Sequence, residues 1–333
     1  MKTGNYTLVT GGAGFIGSAL VQALNQRGNC DIVIADILGQ DDKFKNLVPL
    51  RYADYLEADD LLELAETEPE YFDQFSTIYH LGACSATTEK DASYLIRNNY
   101  EYTKALATIA IEKNIRFVYA SSAATYGDGS QGMEDTLEDL HTLCPLNMYG
   151  YSKHMFDCYA QRMGWLDRIV GLKYFNVFGP NENHKGDMRS LVNKAYDQVT
   201  ATGEIGLFKS YHPDYTDGNQ MRDFLYVKDA VAMSIHLAET PAANGLFNLG
   251  SGEANTWNAL AEAIFAALDL EPNIKYIDMP ETLKGKYQYY TCANTGKLLS
   301  TGFDASKNFN LHSAVKDYVQ NYLVPNKHLG QES

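Results

Sequence analysis

The stretch Thr10-Gly-Gly-Ala-Gly-Phe-Ile-Gly17, TGGAGFIG, places glycines at 11, 14 and 17 between a strand-like run, Tyr6–Thr10, and a helical pattern, Phe15–Gln26. In this order the first glycine permits a tight turn, the second lets backbone approach a pyrophosphate, and the third lets helix pack closely on strand. The helix N-terminus then offers free N–H groups and the positive end of its dipole to an anion. Asp36 ends the next strand pattern, where the ribose of a bound dinucleotide is expected. A carboxylate there accepts from a ribose 2′-hydroxyl, which favours NAD. Lys43, in the nearby GQDDKF, supplies the positive charge that suits the 2′-phosphate of NADP. The residues themselves leave both cofactors open. Asp54, in the short YADY, is a further candidate contact, to adenine.

Working outward, residues 31–36, 77–83, 115–122 and 169–177 read as strands, and 92–113 and 149–163 as helices. Strands alternating with helices predict an α/β, Rossmann-type doubly wound parallel sheet with helices on both faces. Right-handed crossovers place the strand C-terminal ends along one functional edge. Beyond Gly179-Pro180 the texture becomes loop-rich around one helix, and HPDYTDGNQ at 212–220 has the composition of a polar, turn-forming insertion. Strand, helix and strand patterns return at 223–252, and helices at 258–268 and 313–322 close the chain. We therefore expect a dinucleotide-binding domain of residues 1–177 with about 224–250, and a smaller, interleaved C-terminal substrate-binding lobe of about 178–223 with 251–326.

A chain of 333 residues with 45% hydrophobic and 21% charged residues suits a soluble globular protein with a sizeable core. Its net charge of −15 argues against nucleic acid as a partner, because such binding rests mainly on phosphate neutralisation. Cys30, Cys84, Cys144, Cys158 and Cys292 lie far apart and odd in number, which suits reduced thiols in a cytoplasm. No apolar run reaches the length of a membrane span and no leader pattern opens the chain, so the expectation is a cytoplasmic protein with no membrane partner. The scattered His and Cys have no metal-ligand spacing.

The 115–122 run ends in ASSAATYG, and Tyr149-Gly-Tyr-Ser-Lys153 follows at the start of a helix. Residues four apart share a helix face, so a Tyr149–Lys153 pair is expected there. The lysine charge favours tyrosinate, which lets the phenol exchange a proton near neutrality. With the Ser122 hydroxyl to hold a carbinol oxygen, these groups suit hydride transfer between an alcohol and a nicotinamide.

The glycine fingerprint, Ser122 and Tyr149-x-x-x-Lys153, with KYFNVFGP at 173–180 and RDFLYVKDA at 222–230, resemble the extended short-chain dehydrogenase/reductases that act on nucleotide sugars. The resemblance spans residues 5–323. Sugar 4,6-dehydratases of that family carry an Asp-Glu pair where this chain has Ala123-Ala124, which argues against water elimination. HLGACSATTEKD (80–91), RNNYEYTK (97–104), PLNMYGYSK (145–153), ENHKGDM (182–188) and LKGKYQ (283–288) look like the branch that epimerises ADP-glyceromanno-heptoses at C6.

That resemblance implies Tyr149 as one base, Lys153 as its partner, Ser122 as the active-site hydroxyl and Lys185 as a second base. It implies cofactor contacts at Gly11, Gly14, Phe15, Ile16, Gly17, Asp36, Ile37, Lys43, Leu81, Gly82, Ala83, Cys84, Ser85, Asn98, Lys153 and Val177. Substrate contacts are implied at Asn176, Asp187, Lys194, Phe208, Lys209, Ser210, Tyr211, Arg222 and Tyr287. It further implies NADP as cofactor, an ADP-heptose as small-molecule substrate and a homo-oligomer, pentameric in the family. The chain departs from the pattern at Ala58, where the family has a lysine, at Asp187 in place of a serine, at Lys194 in place of a histidine, and in the longer 212–220 loop. The competing readings are another nucleotide-sugar epimerase or reductase of the UDP-hexose 4-epimerase type, and a non-catalytic dinucleotide-binding regulator, in which Tyr149 or Lys153 would be dispensable. Arg222 is expected to grip a diphosphate, or else to pair with Asp223 or Asp229.

Overall fold

The computed structural model describes residues 4–284 and 287–331. Gly285 and Lys286 of the LKGKYQ block lie outside the described residues, as do both chain ends. Strands β1 (Tyr6–Thr10), β2 (Ile32–Asp36), β3 (Asp54–Glu57), β4 (Phe75–His80), β5 (Arg116–Ser122) and β6 (Val170–Tyr174) build the central sheet, and β7 (Asn176–Phe178) leaves it. Further on come β8 (Ile205–Phe208), β9 (Met221–Tyr226), β10 (Gly245–Leu249), β11 (Ala254–Thr256) and β12 (Ile274–Ile277). The large sheet has seven strands in the order β10-β6-β5-β4-β1-β2-β3, and every pairing within it is parallel. Such strands are buried on both faces, hence the unbroken apolar run Ile32–Ala35 of β2 and the wholly buried β10 rather than an alternation.

Helices α1 (Phe15–Gln26), α2 (Ala58–Thr67), α3 (Ala92–Leu95), α4 (Tyr102–Lys113) and α5 (Met148–Arg162) belong to the first half of the chain. In the second half lie α6 (Leu191–Thr202), α7 (Val227–Glu239), α8 (Trp257–Ala267) and α9 (Leu311–Tyr318). Local signals explain the boundaries that matter here. Asn147 caps α5 by accepting from Gly150 N–H at 2.8 Å. Asn114 ends α4 in the left-handed region at φ 56°.

Three expectations are corrected. The 169–177 run is two strands: after Phe175, whose N–H donates to Leu249 O at 2.9 Å, the chain peels off the large sheet and β7 pairs with β9. The 92–113 run is interrupted by a π-helical turn, Ile96–Glu101, which re-phases its side chains. The 77–83 run stops at His80, and residues 81–83 turn out of the sheet. The polar YADY segment starts β3 at the sheet edge. The exposed Asp54 carboxylate there accepts from its neighbour Tyr55 N–H at 2.9 Å and does not border the dinucleotide cleft.

Two smaller sheets, β11-β9-β7 and β12-β8, cluster beyond the C-terminal ends of β6 and β10 with α6 and α8. The chain thus enters this region at β7, returns to the large sheet at β10 and leaves it again. The large sheet's C-terminal edge therefore faces the second group of elements across the cleft.

His80, at the end of β4, is 1% exposed and lies between two hydroxyls, Thr10 Oγ1 at 2.7 Å and Thr103 Oγ1 at 2.9 Å. Burial, with Lys153 adding to it, lowers its pKa from 6.5 to about 3. The unfolded chain thus binds a proton in that interval that the folded protein does not. The contribution of His80 is therefore present above about 6.5 and is lost as pH falls toward 3. Asp229, raised to about 6 by burial, acts in the opposite sense, its contribution being lost as pH rises through that value. The expected result is that His80→Gln, compared with wild type by thermal melting, costs more stability at pH 7 than at pH 4.5. An equal cost at both would contradict a neutral buried imidazole.

Candidate active site

The TGGAGFIG turn forms one wall of a cleft of about 370 Å³, bordered by Gly11, Gly14, Phe15, Ile16, Gly17, Asp36, Lys43 and residues 81–86. The glycine requirement is steric. Gly11 has φ +69°, and a Cβ there would lie 2.7 Å from Gly82 N. A Cβ on Gly17 would fall 2.0 Å from Gly11 O, so α1 could not seat against the turn. Among the described residues no side chain caps α1 and no acid occupies its first turn. Its N–H groups and positive dipole end are thus available to an anion, and the residues present fit a dinucleotide pyrophosphate.

Asp36 and Lys43 meet where the ribose is expected. One Asp36 oxygen accepts from Ala13 N–H at 2.8 Å. The other takes Ile37 N–H at 2.7 Å and Lys43 Nζ at 3.0 Å. Lys43 also donates to Ile37 O at 2.7 Å. Ile37 itself is exposed and contributes backbone rather than side chain. The carboxylate therefore braces the glycine turn while carrying a cation beside it.

Three of the expected cofactor contacts lie elsewhere. Asn98 turns its amide back onto Tyr94 O at 2.8 Å, because the π-helical turn brings the next residue to the buried face. Asn99, 0% exposed, accepts from Cys84 N–H at 2.8 Å and donates to Cys84 O at 3.0 Å and Ser152 Oγ at 2.9 Å. It fastens the cofactor-side loop to α5. Helical periodicity gives no sign of the π-turn, so sequence reasoning had no signal to prefer Asn99. Val177 lines a second cavity, described below, because β7 has left the sheet. Lys153 is buried beneath the cleft wall and donates to Ala120 O at 2.8 Å.

At the end of β5 the Ser122 side chain lies close enough to the Tyr149 phenol to favour its anion. Ser122 Oγ also accepts from Ala124 N–H at 3.1 Å. The two expected groups are brought together, but the electrostatics differ from the expectation. Burial raises the phenol above its ordinary value, and the nearby Ser122 side chain opposes that shift. The ammonium is turned onto the Ala120 carbonyl. Burial brings the Lys153 pKa down to about 8, against the raising influence of Asp157 and Cys84.

The FGPNENHKGDM segment folds as a short turn whose ends are clamped by Glu182. This buried carboxylate accepts from Ser190 N–H at 2.5 Å and Ser190 Oγ at 2.6 Å. Lys185, on the clamped turn, borders the dinucleotide cleft and lies 5.2 Å from the centre of the Phe15 ring. Burial lowers its pKa, opposed by Glu182. His184, 3.3 Å from the Asn46 amide, is lowered to about 4 by burial and is a loop anchor.

The second cavity, about 480 Å³, is bordered by Asn176, Val177, Met188, Lys194, Phe208, Phe224, Trp257 and Tyr287. Met188 borders both spaces, so they adjoin. Arg222, 6% exposed, packs against two of the lining rings, its guanidinium carbon 5.0 Å from the Tyr287 ring and 5.8 Å from the Trp257 ring. It donates to Met221 O at 2.8 Å and to Gln288 O. Neither carboxylate considered as its partner takes it. Asp223 accepts instead from Ser251, Gly252 and Ala293, and Asp229 from Phe309 N–H.

Four expected substrate contacts, Asp187, Lys209, Ser210 and Tyr211, lie outside the cavity lining. Asp187 is exposed, and only its backbone oxygen meets Lys194, at 3.2 Å. Lys209 pairs with Asp278 at 3.1 Å, Tyr211 donates to the same carboxylate at 3.0 Å, and Ser210 N–H donates to Asp217. β8 ends at Phe208, which lines the cavity with Gly206 and Leu207, and the three residues after it are held by Asp278 and Asp217. Trp257 and Phe224, 5.0 Å apart and nearly perpendicular, were missed; their apolar character reads equally well as core.

Comparison with known proteins agrees with this geometry. The family model described as NAD dependent epimerase/dehydratase family matches residues 7–250. An ADP-L-glycero-D-manno-heptose-6-epimerase of Nitratidesulfovibrio vulgaris is 52% identical over 317 residues, covering 95% of this chain and 98% of the relative. One of Fusobacterium nucleatum is 45% identical over 326 residues, with the same coverage of 95% and 98%. The crystal structure of the Helicobacter pylori ADP-L-glycero-D-manno-heptose-6-epimerase superposes with a TM-score of 0.77 at 26% identity, covering 96% of each chain. A UDP-glucose 4-epimerase of Thermotoga maritima reaches the same TM-score of 0.77 at 21% identity, covering 97% of this chain and 100% of that one; this likeness concerns the fold alone.

Proposed function

The chain belongs to the NAD dependent epimerase/dehydratase family, and we propose that within it the protein inverts C6 of ADP-D-glycero-D-manno-heptose to give the L-glycero epimer. It is an epimerase built around a nicotinamide dinucleotide and a nucleotide-sugar substrate. The observation that carries the reading is the Tyr149 phenol beside the Ser122 side chain at the end of β5, with Ala123-Ala124 next to it in place of acid and base for elimination. We infer NADP rather than NAD, supported by Lys43 beside Asp36. The homo-oligomer, pentameric by resemblance, and a cytoplasmic setting belong to the same proposal.

C6 of a heptose is exocyclic, so its configuration can invert without opening the ring. The glycine turn, Asp36 and Lys43 would hold a nicotinamide dinucleotide, which when bound would supply the acceptance and return of a hydride. The protein's own residues manage the proton and the pose. Ser122 and Tyr149 hold the C6 oxygen of one epimer, and Tyr149, ionised to the phenolate, takes the hydroxyl proton as the alcohol becomes a 6-keto sugar. The keto sugar presents its other face before reduction, so the oxygen then lies on a different side. Lys185, with a pKa lowered by burial, serves that second position. Asn176, Lys194, Phe208 and Tyr287 would hold the nucleotide end in the adjoining cavity, with Arg222 on the diphosphate.

Arg222 spends two donors on backbone, and among the described residues its other N–H groups have no partner. Arg222→Lys is expected to raise KM about 10- to 100-fold with kcat little changed, the loss of charged hydrogen bonds. Steady-state kinetics read the split, and an unchanged KM would remove its role. The proposed activity is tested by incubating purified protein with ADP-D-glycero-D-manno-heptose and following C6 by NMR. Appearance of the L-glycero epimer is expected. Turnover of a UDP-hexose without inversion of the heptose would refute the substrate.

A further inference from the structure

Beneath the Ser122 end of β5 lies a sealed ion pair that borders neither cavity. Lys173 on β6 and Asp157 on α5 are each 0% exposed, with Nζ 3.0 Å from Oδ2. Asp157 also accepts from the Tyr119 hydroxyl at 2.8 Å and the Ser121 hydroxyl at 2.7 Å. Lys173 donates to Thr125 Oγ1 at 2.6 Å, and that hydroxyl donates to Ser122 O at 2.8 Å. One turn earlier on α5, Lys153 donates to Ala120 O at 2.8 Å. Every residue from Tyr119 to Ser122 is thus tied, by side chain or carbonyl, to α5 or to the Lys173–Thr125 link.

A buried pair of this kind gives little stability over well-packed apolar residues of the same size, so stability alone does not account for it. Its geometry has another consequence. Tyr149 and Lys153 ride on α5, Ser122 ends β5, and this lattice, together with the packing around it, limits how far α5 slides along the strand. We propose that Asp157, Lys173 and Thr125 are positioning residues that fix the register between α5 and β5, and through it the meeting of Tyr149 with Ser122. This rests on the oxidoreductive reading of that meeting. Asp157 has a second effect in the same direction, since its charge supports a protonated Lys153 against burial.

Thr125→Val severs the link to Ser122 while leaving both charges in place. The combined Asp157→Leu, Lys173→Met variant removes the pair and leaves no unmatched charge. Both are expected to keep bound cofactor, substrate KM and, for the pair variant, a melting temperature near wild type, while kcat falls about 10- to 100-fold, the cost of a misplacement on the order of 1 Å. Lys173→Arg, which keeps a charged donor, is expected to retain most of the rate. Rates are read with whichever sugar nucleotide the wild type turns over, so a wild type silent toward ADP-heptose refutes the substrate and leaves the comparison intact. Wild-type kcat in Thr125→Val and in a folded pair variant would overturn the proposal. Should the pair variant not fold, Thr125→Val alone decides.

Discussion

Replacing Tyr149 by phenylalanine is expected to lower kcat for epimerisation by about 10²- to 10⁴-fold, the range for loss of a positioned acid–base group. The ring is kept, so α5 keeps its packing, and Asn99, Asp36 and the glycine turn hold the cofactor side without help from the phenol. Bound nucleotide and KM should therefore stay near wild type. The remaining hydroxyl at the centre, Ser122, has no basic neighbour of its own, and its Oγ is engaged by Ala124 N–H. Lys153 cannot substitute while its ammonium is turned onto the Ala120 carbonyl. Steady-state rates with nucleotide content measured on the same sample decide the matter. A variant turning over at the wild-type rate would show that the proton leaves by another route.

Lys185→Met is expected to lower the overall inversion by about 10²-fold or more, again with cofactor retained. Methionine preserves the aliphatic stem against Phe15, so the clamped turn between Glu182 and Ser190 should persist. The informative readout is the half-reaction, the reduction of bound cofactor by each epimer separately. If the two bases serve opposite oxygen positions, Tyr149→Phe should lose reduction by one epimer and Lys185→Met by the other. A lysine that only gripped a diphosphate would instead raise KM for both epimers and leave the half-reactions symmetric. The position of Lys185 beside the dinucleotide cleft, with a pKa lowered by burial, favours the base.

What could be read from the sequence follows a physical line. The glycine turn, the parallel sheet and the Tyr149–Lys153 spacing were legible because sterics and helix period act within a few residues. The Tyr149–Ser122 meeting was legible as well, since both stand where an element begins or ends. Hydrogen bonds between distant elements were not. Lys153 turns onto Ala120 O, and burial raises the Tyr149 phenol where a lowering was expected. The π-turn at Ile96–Glu101 exchanges Asn98 for Asn99, and no periodicity announces one extra residue in a helical turn. Lys209 and Tyr211 look like ligands for an anion in a string of letters, but Asp278, 67 to 69 residues away in sequence, takes them both. Lys173, within KYFNVFGP, reads as part of a family block, and only the fold shows it paired with Asp157 beneath the site.

The central claim is that C6 is inverted by removing and returning one hydride within a single site, with Tyr149 and Lys185 managing the proton. ADP-D-glycero-D-manno-heptose carrying deuterium at C6 tests it most directly, with the product examined by NMR and mass spectrometry. The expected result is an L-glycero product that keeps its deuterium at C6, with none lost to solvent. Inversion accompanied by exchange of that deuterium for solvent hydrogen would contradict the claim, because it would require C6 to be deprotonated rather than oxidised.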